Sequence, residues 1–177
     1  MDKYTENEYL YIKNIHQRFL ALRTFLASVN LSPNASIDDY FAYVSKLRAI
    51  QGNTSNELSF IACLMAKHYL GVRFDIGDLD VALKPQGAPG LDIDLITSDS
   101  KRIIGEIKTT VPYSGARNDL GAQQRTTFKH DFDKLNEAKA DYKFFFLTDQ
   151  KTYDVVMNRY VSFIPDVEIV LLSSKQI

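Results

Sequence analysis

The stretch Leu91-Asp92-Ile93-Asp94-Leu95-Ile96, then Thr97-Ser98-Asp99-Ser100-Lys101, then Arg102-Ile103-Ile104-Gly105-Glu106-Ile107-Lys108 decides the fold. Its first and last parts alternate charged and aliphatic side chains, the period of a β-strand with two unlike faces. Asp92 and Asp94 point to one face and Ile93 and Leu95 to the other, and Glu106 and Lys108 repeat the pattern on the second strand. Ser98-Asp99-Ser100 is turn chemistry, so the two strands read as an antiparallel hairpin.

Upstream, residues 72–74 and 79–83 are short β-type segments, and the region reads as a meander of three antiparallel strands. All 8 Gly lie between Gly52 and Gly121, which concentrates turns there. Before the meander, a helix opens at Thr54 or Ser55, carries Leu58, Ile61, Ala62, Met65 and Tyr69 inward and stops at Gly71. After it come a helix over about 120–139 with Phe128, Phe132, Leu135 and Ala138 on one side, a strand over 143–148, a short helix over 151–160 and a last strand over 167–172. The order from Thr54 is therefore α-β-β-β-α-β-α-β, a mixed α/β sheet whose later strands are reached by helical crossovers.

Two more helices precede this region. Thr5 and Glu8 have capping-box spacing for one over about 5–29, with Leu10 or Tyr11, Ile15, Phe19, Leu22 and Leu26 inward. Ser36 caps a second, with Ile37, Phe41, Val44, Leu47 and Ile50 on one face and Gly52 past its end. The chain reads as one domain: a helical extension over 1–51, for dimerisation or DNA binding, and a core over 54–172.

The hairpin also carries the chemistry. A tight turn sets Asp94 or Asp92 opposite Glu106, and carboxylates so close on an apolar sheet repel unless a divalent cation lies between them. Mg²⁺ suits such a site, since it takes one or two carboxylates and fills its other positions with water and phosphate oxygens. Lys108, on the same side, can orient a water, help remove its proton if its pKa is lowered, or neutralise phosphate charge. Metal, carboxylates and lysine together suit phosphodiester hydrolysis. The alternative is a solvent-facing hairpin with ordinary cross-strand charge pairs.

These residues resemble the PD-(D/E)xK nuclease superfamily, whose members include type II restriction endonucleases, Holliday-junction resolvases and repair nucleases. The family core is αβββαβ, similar to the order read from residue 54 to 148. Its motif places an Asp on the second core strand and Glu-x-Lys on the third, matched here by Asp94, with Asp92 as understudy, and by Glu106-Ile107-Lys108. The Pro of the family name is not adjacent; Pro89 lies three residues before Asp92. The resemblance implies a Mg²⁺-dependent DNA endonuclease like a small restriction enzyme, with Mn²⁺ as substitute metal, 5′-phosphate products and a homodimer on double-stranded DNA. It also implies a supporting acid on the first core helix, where Glu57 stands; a carboxylate favoured by the helix dipole is the competing reading. A structure-selective repair nuclease and a nuclease-like subunit that binds without cutting are the rivals.

Net charge is -1, from 21 Lys+Arg against 22 Asp+Glu. By segment it is uneven: residues 75–99 hold six acids and one base, Lys84, whereas 101–129 hold six bases and two acids. The basic stretch would suit phosphates, and Arg, Asn and Gln suit base edges. Its candidate DNA contacts are Arg117, Asn118, Gln123, Gln124, Arg125 and Lys129, with helix capping as the competing use of the two glutamines. The single Cys63 and three His argue against a zinc finger and suit a reducing, cytoplasmic setting. No apolar stretch reaches membrane-spanning length and no phosphate-cradling GxxxxGK[ST] loop occurs, so neither a membrane nor a nucleotide cofactor is expected.

Overall fold

The computed structural model describes residues 4–85, 88–112 and 119–172. It divides into two compact units, Met1–Glu57 and Leu58–Ile177.

In the first unit, α1 (Glu6–Ser28) and α2 (Ile37–Gln51) each begin on a complete capping box. Thr5 Oγ1 accepts the Glu8 N–H at 3.2 Å while Glu8 Oε2 accepts the Thr5 N–H at 2.9 Å, so two orphan donors are satisfied reciprocally. Gly52 ends α2 at φ 61°, a conformation in which a side chain is strained. Phe25 packs on Tyr43, ring centroids 5.2 Å apart. The inward sets differ from expectation. Phe19 and Leu26 are exposed, and on α2 Tyr43, Leu47 and Ile50 are half-buried while Ile37, Phe41 and Val44 are exposed. At about 100° per residue, positions 37, 41 and 44 form one stripe and 43, 47 and 50 another, so the five residues read as one face span two.

The helix α3 (Thr54–Arg73) begins in the last residues of the first unit; its part in the second unit runs through Gly71 and lays Ala62, Ala66 and Leu70 against the sheet, while Leu58 and Ile61 face out. The strands expected over 72–74 and 79–83 do not form. Asp80 folds the chain back locally: its Oδ1 accepts the Ala82 N–H at 2.9 Å and its carbonyl the Leu83 N–H at 3.4 Å, so a turn wins over an extended strand.

The sheet has four strands in the order β1 (Ile93–Ile96), β2 (Arg102–Lys108), β3 (Tyr142–Leu147), β4 (Glu168–Leu171). The first pair is antiparallel and the other two are parallel, a mixed sheet. The crossover from β2 to β3 carries α4 (Ala122–Glu137), and that from β3 to β4 carries α5 (Gln150–Arg159) and a 3₁₀ turn, Val161–Phe163. The β1–β2 turn closes with the Thr97 N–H on the Lys101 carbonyl at 2.8 Å, with Ser100 at φ 64°.

Strand alternation sorts the core. Ile93, Leu95, Ile103, Ile107, Phe144 and Phe146 pack with α3 on one face; Ile104, Phe145 and Leu147 pack with Phe128, Phe132 and Leu135 of α4 and with α5 on the other. Gly105 belongs to the first face, where a Cβ would meet the Phe146 ring at 3.2 Å and the Phe144 carbonyl at 3.4 Å. Each buried Phe or Leu stabilises by about 1.5–3 kcal/mol, so both helical layers are held firmly. The same alternation turns Asp92, Asp94, Glu106 and Lys108 toward the α4 side. Among the described residues no helix is long and apolar enough to cross a membrane.

Candidate active site

The hairpin register decides which aspartate faces Glu106. Ile93 pairs with Gly105 and Asp94 with Ile104, so the next step outward sets Asp92 beside Glu106. Asp94, the preferred ligand from sequence, lies two residues nearer the turn. There it takes a two-pronged ion pair from Arg102, whose Nε and Nη2 donate at 2.9 and 2.8 Å. That guanidinium holds the Asp94 carboxyl below the usual carboxylate range. Asp94 thus has its cation already, and Asp92 takes the place opposite Glu106. Asp92 is fixed by the Ile107 N–H, which donates to its Oδ2 at 2.8 Å.

Glu106 is 2% exposed, and α4 completes its surroundings. Lys134 Nζ donates to Glu106 Oε1 at 2.9 Å and to Asp131 Oδ1 at 3.1 Å. Lys108 Nζ lies 2.6 Å from Asp131 Oδ2. That contact is an ion pair without hydrogen-bond alignment, and Asp131 Oδ2 is the one buried side-chain polar atom among the described residues with no hydrogen bond. Three carboxylates, Asp92, Glu106 and Asp131, therefore share a chain of contacts with two ammonium groups. Burial pushes the Glu106 carboxyl up to about 7, with Asp92 and Asp131 adding to the rise and Lys134 opposing it. The cluster lines an open cleft of about 460 Å³, together with Ser59 and Cys63 of α3, the 88–90 loop and His130.

The donor set suits a hard cation on two counts. Asp92, just before β1, and Glu106, on β2, are oxygen donors side by side across the hairpin, and Asp92 and Asp131 add to the rise that burial gives the Glu106 pKa, so a divalent ion would offset part of it. Among the described residues no group of three His, Cys, Asp or Glu converges as a metal cage. The protein would thus supply two carboxylates, within the habit of Mg²⁺, which leaves positions for water and phosphate. Glu106 Oε1 is engaged by Lys134, so binding through that oxygen requires the ammonium to move.

Compared with known family models, curated proteins and solved structures, the chain matches none.

The remaining sequence candidates fall in several places. Glu57, in the first turn of α3, accepts a guanidinium N–H of Arg18 from α1 within the first unit. Gln124 is buried: its Oε1 accepts the Gly121 N–H at 2.9 Å, capping α4, and its Nε2 donates to the Val111 carbonyl at 2.8 Å. Both ends of its amide are thus engaged within the protein. Gln123, Arg125 and Lys129 are exposed on α4, Arg125 also donating to the Leu120 carbonyl at 2.8 Å. Arg117 and Asn118 lie outside the described residues. Asp131 and Lys134 were missed from sequence. The signal was there: Gln124, Phe128, Asp131 and Leu135 follow one helical stripe, and an Asp within it must find a buried cation.

Proposed function

We propose that the chain is a Mg²⁺-dependent endonuclease of double-stranded DNA, and that α3, β1, β2, α4 and β3 correspond to a restriction-endonuclease-like core whose first strand is replaced by turns. The observation that carries this reading is Asp92 opposite Glu106, with Lys108 on the same face of the hairpin and a polar cleft in front of them. Asp92 and Glu106 would hold the ion, with Mn²⁺ as substitute. A bound divalent cation would polarise the scissile phosphate and lower the pKa of a water. Lys108, held at Asp131, would orient that water and balance charge on the phosphate. Asp131 and Lys134 position the two reacting side chains. Gln123, Arg125 and Lys129 present donors and positive charge for the DNA backbone, so affinity would weaken with salt. A twofold dimer would offer two such clefts to the two strands.

The test is cleavage of supercoiled plasmid with Mg²⁺ or with EDTA, by the unaltered chain, Glu106→Ala and Lys108→Ala, with DNA binding followed separately. Metal-dependent nicking or linearisation with ligatable 5′-phosphate ends, reduced roughly 10²–10⁴-fold in both variants, is the expected result. Equal cutting by the variants would overturn the assignment. One observation favours a second reading, a nuclease-like module that binds without cutting: Lys134 and Asp131 already satisfy much of Glu106 and Lys108. Binding without cleavage of any duplex or branched DNA by the unaltered chain would establish it.

A further inference from the structure

The outward face of α2 carries an apolar stripe with its own symmetry. Ile37, Phe41 and Val44 are 87%, 74% and 56% exposed, while Tyr43, Leu47 and Ile50 of the same helix are half-buried. Arg48 continues the stripe one turn further. The steps from 37 to 41 to 44 to 48 are four, three and four residues, so the row reads the same from either end of the helix. A second copy laid antiparallel about a twofold axis therefore sets Phe41 on the second copy's Val44, and Ile37 on the aliphatic stem of its Arg48.

Charge obeys the same symmetry. Asp38 flanks the stripe at one end and Arg48 lies at the other, about 16 Å between the stripe's ends at 1.5 Å per residue. Among the described residues neither side chain has a hydrogen bond or ion pair of its own. Antiparallel pairing brings each Asp38 to the Arg48 of the other copy, once at each end. Parallel pairing would put Asp38 beside Asp38 and Arg48 beside Arg48, and would align the helix dipoles unfavourably.

We propose that α2 is a homodimerisation element, pairing antiparallel with α2 of a second copy of this chain. The pairing depends on α2 alone, whether or not the chain cuts DNA. A stripe of this length is at the small end of protein interfaces, so the dimer is reversible and concentration-dependent.

Sedimentation equilibrium of the full chain across the micromolar range tests it, with far-UV circular dichroism confirming that each variant keeps its helices. The unaltered chain is expected to show a monomer–dimer equilibrium, and Phe41→Glu to be monomeric. Asp38→Arg and Arg48→Asp should each weaken the dimer about tenfold or more, and the double exchange should restore most of the loss. Lys46→Asp, on the opposite side of the helix, should leave it unchanged. The proposal is overturned by a monomer throughout the range, by a dimer indifferent to Phe41→Glu, by a double exchange no better than its single changes, or by an equal effect of Lys46→Asp. Any of these would leave the stripe to a different protein or to a surface within a longer chain.

Discussion

Raising the pH without a divalent cation should weaken the second unit, through Glu106. Its carboxyl is almost fully buried beside Asp92 and Asp131, and its pKa stands near 7 against an ordinary 4.5. The folded pKa lies above the unfolded one, which fixes the sign. Below about pH 4.5 the group is protonated in both states and costs nothing. Between about 4.5 and 7 the unfolded chain releases the proton and the folded chain keeps it, so stability falls as pH rises; above 7 the fall is complete. The gap between about 7 and 4.5, at about 1.36 kcal/mol per pH unit, is on the order of 3 kcal/mol. That is a large share of the stability of a small domain. Asp94, Asp119, Asp141 and Glu168 have lowered pKa values, so their contributions change at more acidic pH and leave this window to Glu106. The measurement is urea unfolding in EDTA from about pH 5 to about pH 8 for the unaltered chain and Glu106→Gln. The unaltered chain should lose stability steadily across the range, and Glu106→Gln, which cannot ionise, should run nearly flat. Parallel curves would refute the reasoning, because they would place the pH dependence elsewhere.

Other consequences concern stability. Asp131→Ala removes the partner of two lysines at once; both keep some access to water, so a loss of about 2 kcal/mol in urea unfolding is expected, with Asp131→Asn milder. Phe132→Ala opens a cavity between α4 and the sheet, where the ring is 3% exposed and meets Phe145 at 5.1 Å between centroids, and should cost about 3–5 kcal/mol by the same assay. Ser36→Ala breaks the α2 capping box and should lower the stability of the first unit by about 1 kcal/mol, read as an earlier loss of helical signal on heating.

Much of the architecture could be read where one pattern dominated. The Thr5–Glu8 capping box, the Ser36 cap, the apolar side of α4 and the charged-aliphatic alternation of the hairpin stand in the structure as the residues suggest. Four features were decided by terms a linear reading does not weigh. Residues 79–83 have strand-like composition, but Asp80 bonds its own backbone and folds the segment into a turn. The hairpin register depends on which backbone pair closes the turn. The Thr97–Lys101 bond brings Asp92 opposite Glu106, and a two-residue slip would have brought Asp94 there instead. In α4 the apolar members of the stripe drew attention away from Asp131, although a carboxylate among Phe128, Phe132 and Leu135 is the stronger clue to a site. On α2 the apolar residues outnumber what one face can hold, so part of the set was bound to remain outside.

The two neighbouring aspartates, Asp92 just before β1 and Asp94 within it, offer the most direct test, since they point to the same face and have different partners: Asp92 stands opposite Glu106, and Asp94 is satisfied by Arg102. Single-turnover DNA cleavage as a function of Mg²⁺ concentration, with Asp92→Asn and Asp94→Asn side by side, separates them. Asp92→Asn should lose cleavage by roughly 10²-fold or more and need higher Mg²⁺, while Asp94→Asn keeps nearly the full rate. Full cleavage by Asp92→Asn with loss in Asp94→Asn would contradict the site built on Asp92 and Glu106.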